Sequence, residues 1–221
     1  MARVLCLHGM GGTGATMWPL VGALSLAGHD VFAPTLPGHG GTPDELLTIG
    51  WAEWVGAVLE WPSGGDADVV VGQSMGAALA IAVAAAGRCQ AVVAINPPAP
   101  DPDAVDGLEW MQSRGQQWLE VGPSPLGEVA YERLPIEAAL SMHRGLLGLN
   151  MASVSVPVLI VTSDHDEVVD PAYSDVLASL LGGPVRRHRL SRGGHVATLD
   201  ADRDRLADAT TAFIATLDHL R

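Results

Sequence analysis

Gly72-Gln73-Ser74-Met75-Gly76 places a serine hydroxyl between two glycines. The apolar run Val69-Val70-Val71 ends at the first glycine, and an alanine-rich, helix-prone run starts at Met75. A strand that enters a helix through so few residues turns sharply. Small flanking residues let the two backbones approach, and the serine at the apex is held in a strained conformation. Its hydroxyl stands at a helix N-terminus, where the dipole favours developing negative charge. The chemistry suggested is nucleophilic attack; the competing reading is an ordinary turn whose serine caps the helix. A serine nucleophile needs a base, and the base needs an orienting carboxylate. His195 qualifies as base: it follows the last strand, and Gly193-Gly194 free its loop. Asp164, Asp166 and Asp170 follow the preceding strand and compete for the acid role. Asp164 suits shaping the turn and Asp170, before Pro171, suits a helix cap, so Asp166 at the loop tip is assigned the role.

A second glycine-rich loop, His8-Gly9-Met10-Gly11-Gly12, follows the first apolar strand. Such a loop turns amides inward and can donate to an oxyanion, with the Met10 amide as the donor. Phosphate binding fits poorly, because no Lys follows the glycines and no acidic residue is placed to read a ribose. His8 reads as a residue that locks the loop by hydrogen bonds, and His39 and His165 as hydrogen-bonded loop residues. No H-x-E…H or Cys/His spacing supports zinc, so neither metal nor cofactor is expected.

The elements that must carry these residues alternate along the chain. Strands are read at Val4 to Leu7, Asp30 to Ala33, Asp68 to Val71, Ala91 to Ile95, Val156 to Thr162 and Val185 to Leu190. Helices are read at Thr16 to Ala27, Thr48 to Trp61, Met75 to Ala86, Pro171 to Leu181 and Arg203 to Leu220. Trp18, Leu20, Val21, Leu24 and Leu26 form the expected apolar face of the first. This rhythm predicts an α/β fold: a mostly parallel sheet with right-handed crossovers and helices on both faces. The arginines alternating through 185–190 put that strand at the sheet edge. From Pro97 to about Ser153 no strand is evident; helical pieces are read around Leu108–Val121 and Glu137–Leu149. An insertion of this length reads as a lid, or else as a peripheral helical hairpin. The expected division is a core of 1–98 and 154–221 with a small helical cap, 99–153.

Composition narrows the partners. The 221 residues carry 12 arginines, no lysine and 25 acidic side chains, a net charge of −13. Such a chain is a poor partner for nucleic acid or anionic membranes. No apolar run reaches membrane-spanning length, and the stretch Met1 to Leu7, which runs straight into a motif, reads as too short for a signal peptide. Cys6 and Cys89 read as free thiols, so a cytoplasmic location is expected.

The order Ser74, Asp166, His195 is that of α/β-hydrolases, and the chain resembles that superfamily over nearly its whole length. Within it, the chain is similar to small bacterial carboxylesterases related to monoacylglycerol lipases. The resemblance rests on His8-Gly9-Met10-Gly11-Gly12, Pro37-Gly38-His39-Gly40, Gly72-Gln73-Ser74-Met75-Gly76, Asp164-His165-Asp166-Glu167-Val168-Val169 and Gly194-His195-Val196-Ala197-Thr198-Leu199-Asp200. It implies a second oxyanion donor at the Met75 amide. It also implies that two antiparallel leading strands of larger relatives are missing, and it meets a departure at Asp170, where relatives often carry Pro. The expected activity is hydrolysis of small uncharged carboxylic esters of short to medium chain, with Trp110, Trp118 and Met142 of the cap as substrate contacts. Thioester, lactone or carbon–carbon hydrolysis would use the same triad, and a non-catalytic receptor would use the same scaffold.

Overall fold

Strands that read as continuous apolar runs are buried on both faces and require helices above and below. The structure, a computed structural model, describes residues 1–61, 67–124 and 126–217. In order it contains β1 (Arg3–Leu7), α1 (Trp18–Leu26), β2 (Asp30–Phe32), α2 (Trp51–Leu59), β3 (Val69–Gln73), α3 (Met75–Ala85), β4 (Ala91–Ile95) and α4 (Pro102–Ser113). There follow β5 (Trp118–Glu120), β6 (Arg133–Pro135), α5 (Ile136–Leu147), β7 (Val158–Ser163), α6 (Tyr173–Leu180), β8 (Val185–Leu190) and α7 (Arg203–Leu217). The closing helix was expected to reach 220; positions 218–220 lie outside the described residues.

Six strands form one sheet in the order β2-β1-β3-β4-β7-β8, and every pairing in it is parallel. β2 and β3 lie on opposite sides of β1, so the strand order reverses there. Loops leaving the carboxyl ends of β1 and β3 flank that point, where open α/β sheets bind ligands. Successive residues point to opposite faces. Leu5, Leu7, Val70, Val92 and Ile160 pack on the side of α2, α3 and α5, while Val4, Cys6, Val71, Val93 and Val161 pack against α1 and α7. Cys6 and Cys89 are both buried, and no disulfide joins them. In α1 only Leu20 and Leu24, one turn apart, are buried; Trp18 and Leu26 face outward, so the expected apolar face is narrower than its composition suggested. No helix among the described residues is long and apolar enough to cross a membrane.

The segment between β4 and β7 departs most from expectation. Asp101 caps α4 by accepting the Asp103 amide at 2.9 Å, and Pro102 follows at the first helical position. The helix therefore begins earlier than Leu108. It stops at Ser113, because Gly115 takes φ +84° and turns the chain out of the helix. Residues 118–120 then pair antiparallel with 133–135, so the segment contains a strand pair where only helix was anticipated. Ala138, Met142 and Leu146 of α5 join the main core.

Candidate active site

The turn from β3 into α3 is held by backbone contacts that exclude side chains. A Cβ on Gly72 would lie 2.0 Å from the Gly76 carbonyl oxygen, and one on Gly76 would lie 2.2 Å from that of Leu7. Both glycines of the pattern are thus required by approach distance. Between them Ser74 adopts φ 56°, ψ −119°, a sparsely populated region for a residue with a Cβ. Its N–H donates to Ile95 O at 2.9 Å, tying the apex to β4.

The loop after β1 is locked from within. The Leu36 N–H donates to His8 Nε2 at 3.0 Å, which leaves the ring proton on Nδ1 to donate to Gly9 O at 2.8 Å. Burial pushes the His8 imidazole down to about 4, outweighing the bond to Gly9 that favours its charged form, and nearby His39 lowers it further. His8 is therefore neutral and structural. Gly9 and Met10 line the cavity that also holds Ser74. The Met10 and Met75 amides have no acceptor among the described residues. Met75 opens α3, and the first amides of a helix have no partner within it.

His195 also lines this cavity, and its Nδ1 lies 2.8 Å from Asp166 Oδ2. The other oxygen of Asp166 accepts the amides of Val168 and Val169, each at 2.9 Å. The carboxylate is 1% exposed. Burial alone would raise its pKa; the hydrogen bond and charge of His195, with the Val169 and Val168 amides, together outweigh burial and hold it below the ordinary carboxylate value. This contact leaves Nε2 of His195 as the ring atom available to the cavity. Ser74 and His195 line the same cavity, and no direct hydrogen bond joins their side chains among the described residues. The two competing carboxylates are engaged elsewhere. Asp164 accepts from Arg189 Nε at 2.6 Å, and Asp170 caps the turn into α6 by accepting the Ala172 amide at 2.8 Å.

The cavity holds about 570 Å³, within the range of small-molecule sites. Its apolar wall comes from Met10, Val121, Leu126, Leu134 and Val168, with Glu128, Glu167 and Asp200 among its polar members. The three residues expected as substrate contacts lie elsewhere. Trp110 is on the outer face of α4 and 65% exposed. Trp118 carries the Arg133 guanidinium 4.1 Å above its ring. Met142 is buried in the main core because α5 packs on the body of the fold. Besides Met10 and Val168, the wall is built by Leu134 of β6 and by residues 121–124 and 126–132, a proline- and glycine-containing strap without helical or strand periodicity. Tyr131 fastens that strap. Its N–H donates to Gly11 O at 2.9 Å, its hydroxyl donates to Gly38 O at 2.9 Å, and the ring stacks on His39. Glu128 Oε1 accepts from the Thr16 hydroxyl at 2.7 Å. Among the described residues, no cluster of His, Cys, Asp or Glu could hold a metal ion.

The fold and the sequence can be set beside those of known proteins. The chain is 29% identical over 225 residues to a thermostable monoacylglycerol lipase of Bacillus sp. (strain H-257), covering 96% of this chain and 90% of that protein. It is 21% identical over 228 residues to a carboxylesterase of Bacillus subtilis (strain 168), covering 97% and 93%. Among solved structures, one from a study of two metagenome-derived lipolytic enzymes superposes with a TM-score of 0.84 at 27% identity, covering 97% of this chain and 93% of that one. The monoacylglycerol lipase of Paleococcus ferrophilus shares the fold, with a TM-score of 0.72 at 18% identity over 97% and 94%. The sequence model of the alpha/beta hydrolase family matches residues 4–209, and the chain belongs to that family.

Proposed function

We propose that the protein is a carboxylic ester hydrolase in which Ser74, His195 and Asp166 form the catalytic triad. The observation that carries this reading is the 2.8 Å contact of Asp166 with Nδ1 of His195, which lines the same cavity as a strained Ser74. His195 Nε2 removes the Ser74 proton as Oγ attacks the ester carbonyl. The oxyanion of the tetrahedral intermediate accepts from the Met10 and Met75 amides, which have no other acceptor among the described residues. Asp166 keeps the ring in the tautomer with its proton on Nδ1 and stabilises the imidazolium. His195 then protonates the departing alcohol, and water releases the acyl group by the same route. The contact between serine and base tightens only with substrate bound, as is common in unliganded sites.

The substrate is an uncharged ester of short to medium chain, monoacylglycerols included. The apolar wall of Met10, Val121, Leu126, Leu134 and Val168 suits an acyl chain, and the Glu128 carboxylate offers an acceptor to a hydroxyl-bearing alcohol. The small-molecule ester is the only partner this reading requires. The test is a series of p-nitrophenyl esters from two to sixteen carbons, with a monoacylglycerol and acyl thioesters alongside, for wild type and Ser74→Ala. Turnover of the ester series that vanishes in Ser74→Ala is expected. Turnover surviving in Ser74→Ala contradicts the nucleophile, and preference for thioesters reassigns the substrate class.

A further inference from the structure

Only two described residues other than glycine have positive φ: Ser74, and Asn96 at φ 46°. Asn96 follows the last residue of β4 and is 2% exposed. Asparagine tolerates this conformation better than most residues do, but its side chain here has a definite set of partners. Oδ1 accepts the Ser163 N–H at 2.7 Å. Nδ2 donates to Ser163 Oγ at 3.0 Å, to His195 O at 2.8 Å and, more weakly, to Gly194 O at 3.4 Å. An amide N–H can only donate and a backbone carbonyl can only accept, so these partners fix which end of the carboxamide faces which way. The Asn96 backbone N–H donates to Val161 O at 2.8 Å, completing the attachment to β7.

Each partner belongs to a different part of the site. Ser163 is the last residue of β7 and leads directly into the loop that carries Asp166. Gly194 and His195 carry the base. β4 neighbours β3 in the sheet, and Ile95 O, one residue before Asn96, accepts the Ser74 N–H. One buried side chain therefore joins the loop of the acid and the loop of the base at the strand end that also anchors the apex of the nucleophile turn. The base loop has a second, separate attachment: Gln73 Oε1 accepts the Thr198 N–H at 3.3 Å and the Thr198 hydroxyl at 3.1 Å.

We propose that Asn96 is the positioning residue that holds the His195 backbone in register with Asp166. The inference rests on the triad reading above. The Gly193-Gly194 pair leaves the base loop free to adopt many conformations. A donor aimed at the His195 carbonyl, on a side chain that is itself clamped to the start of the acid loop, removes that freedom where the imidazole needs it removed.

The test uses the full chain with two substitutions. Asn96→Gly keeps the positive φ without strain and deletes the carboxamide. Asn96→Asp keeps an acceptor for the Ser163 amide but turns an oxygen toward the His195 carbonyl. Both are assayed on a p-nitrophenyl ester, well below the melting temperature of each variant. The downfield proton resonance of His195 Nδ1–H is followed by NMR and identified by its loss in His195→Gln. We expect kcat to fall about 10- to 100-fold in both variants, the range that misplacement by about an ångström can cost. KM should stay within about twofold of wild type, and the Nδ1 proton signal should broaden or move. Wild-type kcat with an unaltered proton signal in folded Asn96→Gly would overturn the proposal, as would an Asn96→Asp enzyme as fast as wild type. Fluorophosphonate labelling of the wild-type protein separates this from failure of the triad reading. If wild-type Ser74 does not react, the triad is wrong; if it reacts and Asn96→Gly reacts equally fast, only the positioning role is wrong.

Discussion

Asp166 reaches His195 Nδ1 at 2.8 Å with one carboxylate oxygen while the other accepts the Val168 and Val169 amides, so the acid cannot rotate without breaking three bonds. Asp164, two residues earlier, pairs instead with Arg189. Asp166→Asn should therefore leave the fold intact and lower kcat by about 10⁴, the loss seen when a triad histidine is left in the wrong tautomer. Asp164→Asn should stay within a few-fold of wild type. Steady-state kinetics of the two variants side by side checks this, and the opposite ranking would move the acid to Asp164.

His8 makes stability depend on pH. A buried imidazole with its value pushed down to about 4 stays neutral in the folded protein, while the unfolded chain protonates near 6.5. The unfolded state thus binds the extra proton between these values. No penalty exists above pH 6.5; it grows as pH falls through the window and is complete below about 4. It amounts to at most ~3 kcal/mol for this one group, and His39, also lowered by burial, acts in the same direction. Urea denaturation at pH 7, 6 and 5 should show a falling midpoint, with a shallower dependence in His8→Gln. An equally steep dependence in that variant would assign the effect to other groups.

Tyr131 links the strap over the cavity to two loops of the body. Tyr131→Phe keeps the ring on His39 but loses the hydroxyl's bonds to Gly38 O and the Gly41 N–H. We expect a loss of about 1–2 kcal/mol in stability, with a raised KM and little change in kcat. Denaturant titration together with kinetics on a medium-chain ester checks both.

Gly107 lies in the exposed interior of α4, and a Cβ there would meet nothing within 4 Å. Gly107→Ala should stabilise the protein by about 0.5–1 kcal/mol through helix entropy alone, read as a higher melting temperature with unchanged kinetics. Gly76→Ala is the contrast. Its Cβ would meet the Leu7 and His8 carbonyl oxygens at 2.2 and 2.7 Å, so loss of folded protein on expression is expected.

The layered sheet was legible in the sequence because buried parallel strands write themselves as short apolar runs and tight turns as glycines. The nucleophile turn was legible for a steric reason: Gly72 and Gly76 answer to backbone atoms less than 2.5 Å from where a Cβ would stand. The cavity wall was not legible. Trp110, Trp118 and Met142 drew attention by bulk, yet bulk says nothing about direction, and the three side chains face solvent, Arg133 and the core respectively. The strap over 121–124 and 126–132 has no periodicity to read, and its placement depends on contacts such as Tyr131 to Gly11 that join residues 120 positions apart. Asn96 carried one faint local signal, an asparagine ending an apolar run, where αL conformations are common; its partners at 163 and 195 are visible only in three dimensions.

The most direct measurement is mass spectrometry of the protein after reaction with a fluorophosphonate, for wild type, His195→Ala and Asp166→Asn. The account predicts one phosphonyl group per chain, on the peptide containing Ser74, added rapidly in wild type and slowed by orders of magnitude in both variants. A wild-type chain that remains unmodified, or one modified at another residue, would contradict it.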